Sequence, residues 1–333
     1  MAFGAIPGRD RRCGAAVSGA PVLSRSAAGV RAFPAGPVTL ARLGLLALGL
    51  AAFLAVFAPP LILARWFGRR FGEGSPGRFH RLICAGLGLR VRVHGAPDPA
   101  APCLIVANHV SWLDIPVLGS VAPMTFLAKK EVGGHPVGRE LVALQGAVYV
   151  DRGRRALIPE VNARMAERMR AGSPVVLFAE ATTGDGNRLL PFRTSHFEAV
   201  RLAAREAGAA VVQPVFLDYA RLAGLPAVRW ERPRIAWYGD MTFLAHLFRF
   251  AASGGAVCDV HFGAPIRVSP DMSRKAIARL AEGSVRTLAA RARGPAKLDP
   301  SPKPYYDPGM ESTPQTSALP DRARRPPRPS VGA

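Results

Sequence analysis

Between residues 80 and 292 short aliphatic runs alternate with helix-length segments, and this alternation limits the chain to an α/β architecture more firmly than any other feature. Strands are expected at 88–94, 103–107, 124–128, 147–150, 174–178, 210–216 and 257–262. Helices are expected at 110–119, 135–145, 155–171, 195–207 and 271–292, the last capped by Ser269 or Asp271. Runs such as CLIVA at 103–107 are apolar at every position. They suit strands covered on both faces, so the expectation is a mixed, largely covered sheet with flanking helices.

A different signal precedes this region. Residues 43–64 are 22 consecutive positions without a charge, long enough to cross a bilayer, although Pro59 and Pro60 must bend or interrupt a helix there. A membrane anchor, as a helix or a hairpin, is expected over 38–68. Arg69, Arg70, Arg78 and Arg81 follow the run and Arg25 and Arg31 precede it. From this balance the bulk of the chain is expected on the cytoplasmic side of the inner (cytoplasmic) membrane. Residues 1–37 read as a disordered leader. From Gly294 to Ala333 ten prolines occur in forty residues, so 293–333 reads as a disordered tail, leaving 80–292 as the folded domain.

Charge narrows the partners without choosing one. Lys and Arg number 44 against 23 Asp and Glu, a formal net charge of +21, which suits anionic lipid, phosphate-bearing substrates or nucleic acid. Nucleic acid is disfavoured, because aromatic residues are only 8% and the arginines are scattered rather than striped. Cys13, Cys84, Cys103 and Cys258 lie far apart with no CxxC pair, so neither a disulfide framework nor a zinc site is expected. No metal or other cofactor is implied.

Chemistry concentrates at the strand ends. CLIVA runs directly into Asn108-His109-Val110-Ser111-Trp112-Leu113-Asp114, at the carboxyl end of a strand, where open α/β sheets bind ligands. A His with a carboxylate on its second ring nitrogen is a general base. The pair converges only if His109 lies in the turn and Asp114 in the first helical turns. A hydrolase triad with Ser111 is excluded by the crowding of three members into six residues and by the lack of a G-x-S-x-G elbow. Ser111 is expected to cap or pack, and Trp112 to sit at a membrane-facing rim. Gly146 to Arg152 (GAVYVDR) ends a second strand, Phe178-Ala179-Glu180-Ala181-Thr182-Thr183 a third, and Gln213-Pro214-Val215 lies on a fourth, with Leu190-Pro191-Phe192-Arg193 between. Polar groups at four successive strand ends predict one cleft.

This ordered set resembles the lysophospholipid acyltransferase family, of the 1-acylglycerol-3-phosphate O-acyltransferase type, over residues 80–265. The resemblance implies an O-acyltransferase that moves a fatty acyl group from acyl-ACP or acyl-CoA to the free hydroxyl of a lysolipid, without an acyl-enzyme. His109 would be the base and Asp114 its orienting carboxylate. Arg152 and Glu180 would hold the acceptor headgroup, with Thr182 and Arg193 at the same site. The expected acceptor is 1-acylglycerol-3-phosphate, giving phosphatidic acid. One departure matters: the family's third block commonly reads Glu-Gly-Thr-Arg, whereas Glu180-Ala181-Thr182-Thr183 stands here. With one arginine fewer, and with Trp237-Tyr238-Gly239-Asp240 downstream, the chain is similar to a bacterial subgroup that includes lyso-ornithine lipid O-acyltransferases. That is the alternative acceptor. A lipid hydrolase and a non-catalytic scaffold are weaker readings of the same residues.

Overall fold

The computed structural model describes residues 36–66, 75–98, 102–129, 148–150 and 155–294. Helix α1 (Pro37–Trp66) leads to α2 (Ser75–Gly86), β1 (Leu89–His94) and β2 (Cys103–Ala107). Then come α3 (Asp114–Val121), β3 (Thr125–Lys129), β4 (Val148–Val150), α4 (Ile158–Arg170) and β5 (Val175–Phe178). The chain continues through α5 (Glu198–Ala207), β6 (Ala210–Leu222), β7 (Leu225–Pro226), α6 (Arg232–Ile235) and α7 (Phe243–Ala252). It closes with β8 (Ala256–Phe262), β9 (Ile266–Val268) and α8 (Arg274–Arg293).

The strands form one mixed sheet in the order β1-β8-β6-β2-β5-β3-β4, with β7 and β9 paired to β6. From β6 to β4 neighbours are parallel; β8 turns antiparallel on β6, and β1 runs parallel to β8. Helices cover both faces. On one face Leu113, Val117 and Leu118 of α3 and its approach, with Cys84 and Phe250, pack on the Ile105, Val215, Leu217 and Val260 side. On the other, Met165, Met169, Val200, Ala204, Ile277 and Val285 pack on Leu104, Val106, Val212 and Phe216. Adjacent β2 residues thus enter opposite cores, which explains why CLIVA is apolar throughout. The helix pair α2–α3 approaches closely because Gly119 has no side chain: a Cβ there would run into the His80 ring.

The expected strands all form, and β6 extends six residues beyond its expected end because β8 pairs along it to Leu222. The short β7 and β9, and helices α2, α6 and α7, were not among the expected elements. The cap of α8 is Ser273, whose hydroxyl accepts the Ala276 N–H at 3.2 Å, and not Ser269 or Asp271. The helix expected at 135–145 lies outside the described residues, as do 1–35, within the expected leader, and the tail from 295. Helix α1 spans most of the expected 38–68 anchor. Among the described residues, however, no helix is long and apolar enough to cross a membrane, and most side chains of α1 beyond residue 49 lie outside that description.

Candidate active site

Register brings the first two polar strand ends together. Ala107 of β2 pairs with Phe178 of β5, so two residues further on His109 and Glu180 leave the sheet side by side. Ala179 N–H still donates to Ala107 O at 3.3 Å, and Gly184 N–H donates to His109 O at 3.0 Å. These bonds fold the turn after Glu180 over the histidine.

Asp114, the first residue of α3, is fully buried and its carboxylate is saturated. Oδ2 lies 2.8 Å from His109 Nδ1 and accepts the N–H groups of Val110 at 2.7 Å and Ser111 at 3.0 Å. Oδ1 accepts the Tyr219 hydroxyl at 2.7 Å. Oδ2 already accepts two backbone N–H groups and faces Nδ1 as an acceptor, so Nδ1 is the ring nitrogen that carries the proton and the lone pair sits on Nε2. Among the described residues no hydrogen bond engages Nε2. The ring lies flat on Phe178, 4.1 Å between centroids and 11° between planes, which fixes its orientation. A partly exposed imidazole with its lone pair outward and a buried carboxylate behind it is the arrangement that general-base catalysis on a hydroxyl requires. Asn108 braces the turn by exchanging two hydrogen bonds with Leu217 of β6, at 2.8 and 3.1 Å.

Glu180 is 4% exposed and accepts the Leu190 N–H at 3.2 Å, with the His109 N–H also directed at its carboxyl group. Burial dominates and pushes its pKa up to about 8; the negative charge of Asp114 adds to the rise, while the two N–H groups and Arg286 oppose it. Thr182 and Arg193 are exposed beyond it. Arg193 N–H donates to Ala179 O at 2.8 Å, holding its segment against the end of β5. His109, Asp114 and Glu180 therefore converge, Thr182 and Arg193 flank them on the surface, and Arg152 lies outside the described residues.

Ala181 has φ 61°, in the left-handed region that costs a residue with a Cβ about 1 kcal/mol or more. This accounts for the glycine common at that position of the family pattern. Ala181→Gly is expected to raise stability by about 0.5–1 kcal/mol, read as a higher urea midpoint with an unchanged slope. A lower midpoint would show that the Ala181 methyl group contributes packing that outweighs the strain.

Three residues of the site were missed in the sequence. Tyr219 extends the 215, 217, 219 alternation of β6 and could have been found by carrying that strand further. His246 is buried, which lowers its pKa to about 4, so the neutral ring accepts Trp112 Nε1–H at 3.0 Å and donates to Ala236 O at 3.1 Å. Arg293 lies one residue past the expected domain end. It donates to Asp218 Oδ1 at 3.0 Å and to the carbonyls of Gly186 and Asn187 at 2.8 and 3.1 Å, and so ties down the loop after Glu180. Ser111 is buried without capping α3, whose N-cap position is Leu113, so the packing alternative holds for it.

One group among the described residues has ligand atoms close enough for a cation: His94, Asp259 and His261, within 4.8 Å. Both oxygens of Asp259 already face the Arg92 guanidinium, at 2.5 and 2.6 Å, and the two imidazoles stack at 4.4 Å. The guanidinium occupies the place a metal would need, so the cluster reads as an ion pair.

Comparison with known proteins agrees with this geometry. The profile of the family described as Acyltransferase matches residues 90–218. A lyso-ornithine lipid O-acyltransferase of Brucella abortus is 42% identical over 219 residues, 65% of this chain and 82% of that protein. One of Rhizobium meliloti is 38% identical over 271 residues, 79% of this chain and 93% of that protein. A 1-acyl-sn-glycerol-3-phosphate acyltransferase of Neisseria gonorrhoeae is 33% identical, covering 63% and 77%. The crystal structure of the 1-acyl-sn-glycerophosphate acyltransferase of Thermotoga maritima has the same fold: TM-score 0.50 at 20% identity, over 78% of this chain and all of that one. The chain belongs to the acyltransferase family and is an acyltransferase.

Proposed function

We propose that the chain transfers a fatty acyl group from acyl-ACP or acyl-CoA to the free hydroxyl of a lysolipid, with His109 as base, Asp114 behind it, and Arg152, Glu180, Thr182 and Arg193 around the acceptor headgroup. The observation that carries this reading is the outward Nε2 of His109, backed by the buried Asp114 carboxylate at 2.8 Å. Nε2 takes the hydroxyl proton as the oxygen attacks the thioester carbonyl; the thiolate leaves and the proton goes to it. Two acceptors fit. 1-Acylglycerol-3-phosphate fits the family at large. Lyso-ornithine lipid is favoured here by the names of the relatives at 42% and 38% identity and by Thr183 standing where a phosphate-binding arginine is common. The same proposal places the enzyme at the inner membrane through the α1 region, with the catalytic domain facing the cytoplasm, supported by the uncharged run 43–64 and the arginines that follow it.

The test supplies membranes carrying the wild-type chain or His109→Ala with either donor and both lysolipids, and resolves products by mass. Transfer to lyso-ornithine lipid, reduced about a thousandfold or more in His109→Ala, is expected. Wild-type transfer that survives the substitution would remove His109 from the mechanism, and transfer to lysophosphatidic acid alone would select the other acceptor.

A further inference from the structure

Helix α7 is only half covered by the domain. Its inner side is buried through His246, Phe250 and Ala251. The other exposes Phe243 at 46%, Leu244 at 62% and Phe248 at 47%, and the only charged residue in the helix is Arg249. The apolar stripe of α7 is thus wider than the part of it that the domain covers, and its uncovered edge is hydrophobic surface in need of a partner. It packs against α1, which itself exposes Val38, Leu40, Leu45 and Leu48. The turn before α6 adds Trp230, 78% exposed, beside the exposed Arg229.

The surroundings specify the partner. In the segment that leads into α7, Arg229 and Arg234 are exposed, against one exposed acid, Asp240, and Arg249 is half-buried on the helix itself. An exposed apolar helix edge preceded by exposed arginines and an exposed indole has the chemistry of a bilayer interface with anionic headgroups. The face is also coupled to the site. Trp112, three residues after His109, packs edge-on against Phe243 at 5.0 Å between centroids and donates to His246 inside the same helix. A bilayer seated on α7 therefore borders the turn that holds the base.

We infer that the outer face of α7, with the Arg229-Trp230 turn, is a docking surface for an anionic phospholipid bilayer, distinct from the N-terminal uncharged run. It delivers the lysolipid to His109 sideways from the membrane; this last step rests on the proposed function, whereas the docking does not.

The test uses the full chain with Cys13→Ser and Leu244→Cys, labelled with a nitrobenzoxadiazole fluorophore; Cys84, Cys103 and Cys258 are buried and stay unlabelled. On phosphatidylglycerol vesicles the emission is expected to shift to the blue and brighten, and high salt to weaken the effect. A label at Arg164→Cys, exposed on α4 across the sheet, is expected to stay unchanged. The otherwise unmodified full chain carrying Leu244→Ser and Phe248→Ser is expected to bind vesicles about tenfold more weakly with its urea midpoint retained. Unchanged emission at Leu244→Cys on bound vesicles would overturn the inference. So would a shift without vesicles as the protein is concentrated, which indicates a second copy, or on adding acyl carrier protein alone. None of these readouts needs acyl transfer, so a failure here is distinguishable from failure of the proposed reaction.

Discussion

Asp114→Asn is expected to lower kcat by about a hundredfold or more while the protein stays folded. The side chain is fully buried and accepts four donors. The asparagine oxygen can keep the three donors at Oδ2, with its amide nitrogen turned to the Tyr219 oxygen. The Nδ1–H tautomer of His109 then survives, but the charge behind it is gone. As the acceptor hydroxyl gives up its proton, the imidazolium no longer faces a carboxylate in a site where screening is weak. Loss of the charge-assisted bonds also costs about 2–3 kcal/mol of stability, which urea unfolding would read separately. Tyr219→Phe removes one donor and no charge, and is expected to cost less than about tenfold in kcat. Equal losses for the two variants would mean that the hydrogen-bond frame, and not the charge, is what His109 needs. A wild-type kcat in Asp114→Asn would remove the carboxylate from the mechanism.

What the sequence made legible follows from which residues act through strands. CLIVA and VVLF are apolar at successive positions, and such runs are strands covered on both faces, so the sheet and its polar ends could be read directly. His109 and Asp114 were found because the strand ends just before them. Their convergence depends on Asp114 opening α3, as the five-residue spacing demanded. Tyr219, His246 and Arg293 were not legible, because each reaches the site from an element more than a hundred residues away in sequence, and no local pattern records that register. Helix α7 was missed for a different reason. Its apolar stripe over 243, 244, 247, 248 and 251 is present, but the helix is only ten residues long and sits between loops. Ala181 illustrates the reverse case, in which the glycine of a family pattern becomes intelligible only when φ is known.

Stability is expected to fall as pH rises from about 4.5 to about 8, and Glu180→Gln is expected to remove much of that slope. Glu180 is buried, and its pKa is raised to about 8, by desolvation first. In the unfolded chain it titrates near the ordinary glutamate value. Between the two values the folded state holds a proton that the unfolded state has released. The proton's contribution is complete below the unfolded pKa and is lost as pH approaches the folded one. At about 1.4 kcal/mol per unit this amounts to a few kcal/mol across the window. Glutamine keeps the shape and the acceptor for Leu190 N–H without ever becoming charged. Glu180→Gln should therefore match wild type near pH 4.5 and exceed it near pH 8 in urea midpoint. A flat wild-type midpoint over that range, with no gain in the variant, would show that Glu180 is ionised in the fold. A neutral Glu180 has a functional consequence as well. It sits beside His109 without adding a second negative charge to that of Asp114, and it leaves the cleft free of an anion that would repel an acceptor carrying phosphate or carboxylate.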